Sequence, residues 1–110
     1  MPRHPAWDIY ESALLLDICI RVERGEILKE AAIQELSKTF RQKAGRNDDN
    51  DTYRNEAGIS WQYNYMQYLI TRPEYGRGSK VFRKIARLYR EEPEKYAQFL
   101  RDAKRVFSVE

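Results

Sequence analysis

Apolar residues recur three or four positions apart in five separate stretches of this chain, and no stretch alternates convincingly between apolar and polar residues as a half-buried strand does. Residues with that spacing lie on the same face of an α-helix, so the pattern predicts helices. They cover about residues 8–24, 27–43 and 56–71, a segment that follows Ser79, and a segment that begins at Pro93. Mostly short connections predict one all-α domain over residues 1–110, a compact bundle of about five helices.

The third predicted helix carries apolar or aromatic side chains on nearly every face. Tyr63 lies on its main apolar stripe, whereas Trp61, Tyr65 and Tyr68 fall largely on other faces. Such a helix is usually contacted on several sides, so we expect the third helix to be the central one. Because one helix cannot bury every face, Tyr65 and Tyr68 are also expected to be exposed, together with Tyr75 in the loop that follows.

Two segments are expected to lie outside the packed helices. Residues 1–6 form a tail in which Pro2 and Pro5 favour extended backbone, so we expect a flexible segment there. Residues 46–52 contain no apolar side chain, so we expect an exposed and mobile polar loop.

Cationic side chains are concentrated between residues 72 and 90, where Glu74 is the one acidic residue. The formal net charge is +3 and the sequence pI is about 9.0. Lys80, Lys84 and Arg87 share one face of the fourth predicted helix, opposite its apolar face. Such cations displace counterions from a nucleic-acid backbone, and a helix N-terminus adds backbone donors. The run therefore predicts phosphate contacts, although a solvated face of an amphipathic helix would show the same pattern.

The segment Tyr53-Arg54-Asn55 follows the polar loop. Asn55 is a competent helix N-cap, and Tyr53 could anchor the start of the helix in the core. Arg54 could pair with an aspartate of the loop or reach a phosphate, and a purely structural joint would also explain the segment.

We can now name the residues expected to contact nucleic acid. The main group is Arg54, Asn55, Arg72, Arg77, Ser79, Lys80, Arg83, Lys84 and Arg87. A secondary basic group near the end of the second helix is Lys38, Arg41, Lys43 and Arg46.

Several of these residues belong to a larger pattern. In chain order, that pattern is Trp7, Glu11, Leu14–Asp17, Leu36-Ser37, Phe40-Arg41, Tyr53-Arg54-Asn55, Gly58-Ile59, Gly78-Ser79-Lys80, Tyr89 and Pro93. The pattern resembles a helical domain at the N-terminus of bacterial proteins that carry HNH nuclease or other DNA-processing domains, often in restriction and mobile-element contexts. More distantly, the opening residues resemble Myb/SANT-like DNA-binding modules. In the bacterial domain a Phe-Arg-Asn segment is usual, and Tyr53 replaces that phenylalanine here.

The resemblance implies a DNA-associated, non-catalytic role in prokaryotic defence, phage or mobile-element DNA processing. It gives Arg54 and Asn55 a part in binding. The 110 residues contain no nuclease segment, so we expect either a free-standing module or a fragment of a larger protein. DNA is favoured over RNA as the partner.

The residues that commonly carry catalysis are scarce. Cys19 lies in an apolar run and is expected to be a buried core residue, while His4 lies in the tail. A calcium loop starting at Asp48 would need a carboxylate at its twelfth position, which is Ile59. We therefore expect no enzyme activity, no cofactor and no metal. Without a signal peptide or an apolar run that could span a bilayer, we expect a cytoplasmic protein with no membrane association.

The chain has eight tyrosines, which support a second hypothesis. Most should pack in the core, but aromatic side chains beside a basic stretch can stack on unpaired bases and are also favoured at protein interfaces. The alternative function is therefore a protein–protein interaction adaptor or a homodimerising helical domain.

Overall fold

The computed structural model describes residues 4–46, 48, 50–73 and 78–109, and it confirms the predicted all-α fold. The helices are α1 (Ile9–Glu23), α2 (Lys29–Lys43), α3 (Glu56–Thr71), α4 (Lys80–Glu91) and α5 (Pro93–Val106). The described residues contain no strand. Among these helices, none has the length and apolar character required to cross a membrane.

Local side-chain caps explain where three of the helices begin. Asp8 and Glu11 form a reciprocal capping box at the start of α1, as their spacing predicted. The Asn55 side chain accepts a hydrogen bond from the Gly58 N–H and caps α3. Ser79 caps α4 in the same way. Each cap satisfies a backbone donor that the helix itself leaves unpaired.

The central helix is α1, because it contacts each of the other four helices. Residues 11–16 are all buried, so this part of α1 is enclosed on every side. The prediction that the third helix is central is wrong, since α3 contacts α1, α2 and α4 but not α5. Small residues at Ser12 and Ala13 allow neighbours to approach α1 closely. The additional aromatic side chains of α3 remain at the surface, where Trp61 is 66% exposed.

The start of α4 is positioned against the end of α3 by Gly78. This glycine has a φ of +122°, which side-chain-bearing residues rarely adopt. A Cβ atom at this position would lie 3.2 Å from Leu69 Cδ1, so the Leu69 side chain would have to shift by a few tenths of an ångström. Gly78 therefore allows the chain to turn closely past α3 as it enters α4.

Candidate nucleic-acid interface

Five cationic side chains lie on the solvent face of α4. They are Lys80, Arg83, Lys84, Arg87 and Arg90, and all are exposed. At about 100° of rotation per residue they occupy an arc of roughly 120° on the side away from the core. Phe82 and Ile85 fix that orientation, because both are buried on the opposite face. The structure thus brings together the four α4 cations predicted to contact nucleic acid and adds Arg90 to them. We call these five residues the α4 basic face.

These cations border a groove between α4 and the end of α3. The groove has a volume of about 410 Å³, and Leu69, Pro73 and Ala86 supply its apolar lining. All five residues of the α4 basic face line it. The Arg90 Nη1 group also donates a hydrogen bond to the Leu69 carbonyl oxygen at 3.3 Å, which draws this guanidinium toward α3. A groove of this chemistry suits an anion that carries an apolar or aromatic part.

The positive charge of the α4 basic face is not neutralised by neighbouring carboxylates. Among the residues that the structure describes, no Asp or Glu oxygen lies within 4.0 Å of any of these five cations. On α5, by contrast, Lys95 pairs with Glu92 and Arg105 pairs with Asp102. The two helices therefore present cations in different electrostatic settings, and α4 is the better suited to an external anion.

Two other predicted contact residues, Ser79 and Arg72, adjoin the groove residues Lys80 and Pro73 in the chain. Ser79 is exposed, and its Oγ accepts the Phe82 N–H at 3.2 Å. Because a hydroxyl can accept one bond and donate another, the cap and a phosphate contact are compatible. Arg72 is exposed at the C-cap of α3. Arg77 and the loop tyrosine Tyr75 lie outside the described residues.

Arg54 does not line the α4 groove, and its predicted contact with nucleic acid stays a prediction. It is 7% exposed. Its Nε donates to Glu11 Oε2 at 2.8 Å, and its Nη2 donates to Glu11 Oε1 at 3.2 Å and to the Pro5 carbonyl at 2.9 Å. The guanidinium also lies over the rings of Trp7 and Tyr53. Arg54 is thus an internal joint between α1, the N-terminal segment and the start of α3, and its partner is Glu11 rather than a loop aspartate.

Asn55 is also explained by local structure. Its Oδ1 accepts the Gly58 N–H at 2.8 Å, so its described contact is the α3 cap. The capping role predicted for Asn55 is confirmed. Its predicted contact with nucleic acid stays a prediction, although Asn55 follows the buried Arg54 and lies outside the lining of the α4 groove.

The secondary basic group does not join the α4 basic face, because α2 and α4 have no direct helix–helix contact within the described residues. Lys38 and Lys43 are exposed on α2. Arg46 pairs with Asp51 at 3.1 Å and lies over the Tyr53 ring. The Tyr53 N–H donates a hydrogen bond to Asp51 Oδ1. This hydrogen bond and the nearby Arg46 guanidinium lower the pKa of the Asp51 carboxyl below its ordinary value.

Arg41 is a structural residue in this group. Its guanidinium donates to the carbonyl oxygens of Asp48 at 2.6 Å, Asp51 at 2.8 Å and Tyr53 at 2.7 Å. The polar loop that the sequence predicted to be mobile is therefore held to α2 at these positions, while Asn47 and Asp49 lie outside the described residues. The predicted flexible tail also makes contacts. The Pro5 carbonyl oxygen accepts a hydrogen bond from Arg54, and His4 Nε2 lies 2.9 Å from Thr52 Oγ1. Residues 1–3 of that tail are not described.

Replacing Arg41 with methionine should lower the free energy of unfolding by about 2 kcal/mol, because three carbonyl groups lose a charged donor. The matched control is Lys38→Met, which removes an exposed cation from the same helix and should change stability by less than about 0.5 kcal/mol. Urea denaturation measures both. Equal stability of the two variants would contradict a structural role for Arg41.

Cys19 is a core residue, as predicted. It is buried, and its Sγ lies 3.9 Å from the Tyr63 carbonyl oxygen. Burial raises the pKa of the Cys19 thiol above its ordinary value, which disfavours the reactive thiolate.

Among the described residues, no group of three or more His, Cys, Asp or Glu side chains could hold a metal ion.

Comparisons with protein-family models, curated proteins and solved structures found no match to this chain. The resemblance to HNH-associated helical domains therefore stays a prediction. The segment Tyr53-Arg54-Asn55 carries this resemblance most clearly. Within it, Arg54 pairs with Glu11 and Asn55 caps α3, so structural contacts explain both residues.

The sequence missed two features of the surface. The first is the groove beside α4, whose apolar wall is formed by Leu69 and Pro73 of a different segment. The second is the strong exposure of Trp61. Helical spacing placed Trp61 away from the main stripe of α3, and that signal would have sufficed to predict its exposure.

Proposed function

We propose that this domain binds nucleic acid, in the first place duplex DNA, through the α4 basic face and without catalysing a reaction. The context implied by the family resemblance, prokaryotic defence or mobile-element DNA processing in the cytoplasm, belongs to the same proposal. The observation that carries it is the exposure of five cations around one groove, with no carboxylate of the described residues within ion-pair distance.

The dimensions of α4 suit this role. Lys80 and Arg90 are ten positions apart, which corresponds to about 15 Å along the helix axis. The major groove of B-DNA is about 12 Å wide and admits an α-helix. From Lys80 to Arg90 every exposed side chain is Lys or Arg. Because cations of this kind mainly contact phosphates, which position a protein without specifying a sequence, we expect binding with little sequence preference.

The proposal predicts strongly salt-dependent binding. Five phosphate contacts correspond to a slope of about −4.5 for the logarithm of the binding constant against the logarithm of salt concentration. Affinity for a short duplex should thus fall roughly 500-fold between about 50 and 200 mM salt. Fluorescence anisotropy with labelled DNA and RNA duplexes measures the slope and compares the two partners. A protein that shows no retention on either duplex at low salt would refute the proposal.

The second candidate function is a protein–protein adaptor or a homodimer, and one specific observation favours it. Trp61, Tyr65 and Tyr68 are exposed on α3, and aromatic side chains often anchor protein interfaces. Light scattering on nuclease-treated protein distinguishes the candidates. A stable oligomer that is indifferent to salt would favour this alternative, whereas a monomer that binds duplex DNA would not.

A further inference from the structure

Three aromatic side chains form one exposed stripe on α3. Trp61, Tyr65 and Tyr68 are 66%, 41% and 51% exposed, respectively. Their spacing of four and then three residues puts them on one side of the helix, away from the buried face that contains Tyr63 and Met66. Nothing in the described part of the chain covers this side of α3. We call these three residues the aromatic stripe.

The aromatic stripe leads into the groove beside α4. Trp61, Tyr65 and Leu69 are successive members of one row at intervals of four residues within α3, and such a row runs along one side of a helix. Pro73 follows beyond the end of α3. Trp61 and Tyr65 are exposed aromatic residues, whereas Leu69 is buried and lines the groove together with Pro73. Arg72, which is also exposed, follows Tyr68 by four residues. The rings and the α4 basic face are thus neighbouring parts of one surface.

The chemistry of the stripe matches that of unpaired bases beside a phosphate backbone. From Ile59 to Thr71 the chain contains no acidic residue, so the part of α3 that carries the stripe has no carboxylate to repel phosphate; Glu56, in the first turn, is the one acidic residue of α3. Trp61 and Tyr68 are separated by about 10 Å along the helix axis, which is comparable with three stacked bases. Aromatic side chains stack on any base, and sites for single strands typically combine such rings with a cationic groove.

We propose that the aromatic stripe is a stacking platform for unpaired bases, so that the preferred ligand is a nucleic-acid duplex with a single-stranded extension. The duplex backbone lies on the α4 basic face, and the extension crosses α3 from the groove toward Trp61. This inference rests on the proposed function, because the α4 basic face must hold the backbone that the extension continues.

The test compares a short blunt DNA duplex with the same duplex carrying an oligothymidine extension. For the unaltered protein, the extension should increase affinity on the order of tenfold or more. The double variant Trp61→Ala/Tyr65→Ala should bind both ligands with the affinity that the unaltered protein has for the blunt duplex. Trp61→Phe should keep most of the gain, whereas Trp61→Leu, which is apolar but cannot stack, should lose it.

A spectroscopic readout reports the stacking directly. Trp61 is one of two tryptophans in the chain. The extended duplex should quench tryptophan fluorescence in the unaltered protein and should have little effect in Trp61→Phe. Leu28→Ala is the matched control, because Leu28 is an apolar side chain that is 78% exposed at the start of α2. This control should leave affinity for both duplexes unchanged.

The outcomes separate this inference from the function on which it rests. If the blunt duplex binds but the extension adds nothing, or if the double variant weakens both ligands equally, the stacking platform is refuted while nucleic-acid binding stands. If neither duplex binds, the proposed function itself fails. If light scattering shows a dimer that Trp61→Ala dissociates, the stripe is a self-association surface and the inference is overturned.

Discussion

Replacing Lys80, Lys84 and Arg87 together with glutamate should reduce affinity for duplex DNA at least 100-fold at low salt. Three phosphate contacts are lost, and three carboxylates then face the polyanion. The slope of the logarithm of the binding constant against the logarithm of salt concentration should approach zero. Only two of the five cations of the α4 basic face remain, and the three new carboxylates offset their positive charge. Fluorescence anisotropy over a salt series measures both the affinity and the slope.

The fold should survive this triple substitution because all three side chains are exposed. Exposed substitutions usually change stability by less than about 0.5 kcal/mol each. Glutamate at position 80 would also lie in the first turn of α4, where negative charge is favourable. Circular dichroism and urea denaturation should therefore match the unaltered protein.

The control replaces three exposed cations of α5 with glutamate and so produces the same change in net charge. These cations are Lys95, Arg101 and Arg105. Two of them make exposed ion pairs, whose loss costs little. If position matters, the α5 variant should keep most of the affinity. Equal losses in the two variants would mean that total charge governs binding, and the assignment to α4 would then be wrong.

The parts of this structure that follow from neighbouring residues could be predicted from the sequence. The capping box at Asp8 and Glu11 and the caps at Asn55 and Ser79 each involve residues three positions apart. The α4 basic face has the same local origin, because residues three and four apart in a helix must share a face. Once α4 is recognised as a helix, the clustering of Lys80, Lys84 and Arg87 follows without any tertiary contact.

Contacts between distant segments could not be predicted. Arg54 and Glu11 are 43 positions apart, and a surface arginine and a buried one have the same sequence signature. The central position of α1 was missed for a related reason. The apolar content of α3 suggested that this helix is buried on all sides. Aromatic side chains can also lie at the protein surface, however, and the packing of α3 against α1 leaves Trp61 and Tyr68 exposed to solvent. The groove likewise requires α3 and α4 to meet, which Gly78 permits because it has no Cβ atom to crowd Leu69.

Removing one partner of the buried Arg54–Glu11 ion pair should strongly destabilise the fold. Replacing Arg54 with methionine leaves the carboxylate of Glu11, a buried residue, without its cation, and it removes the hydrogen bond to the Pro5 carbonyl. Breaking a buried pair in this way costs about 3–5 kcal/mol. For a domain of this size we expect the midpoint of thermal unfolding to fall by roughly 15 °C or more. Urea denaturation and a thermal scan measure the two quantities.

The double variant Glu11→Met/Arg54→Met tests the cause of that loss. Removing both charges eliminates the uncompensated carboxylate, so the double variant should be more stable than Arg54→Met alone. Recovery should be incomplete, because Glu11 Oε1 also accepts the Asp8 N–H of the capping box at 3.0 Å. Arg105→Met, which breaks an exposed pair with Asp102, is the control and should cost less than about 1 kcal/mol. A double variant no more stable than Arg54→Met would mean that lost packing, rather than the unpaired charge, causes the destabilisation.

Binding by the folded Arg54→Met protein separates the structural role of Arg54 from the interface role that its sequence context suggested. Arg54 is not among the residues that line the α4 groove. At a temperature where the variant is fully folded, its affinity for duplex DNA and its salt slope should therefore equal those of the unaltered protein. A reduced salt slope would instead indicate a lost phosphate contact, and it would require Arg54 to leave Glu11 when nucleic acid binds.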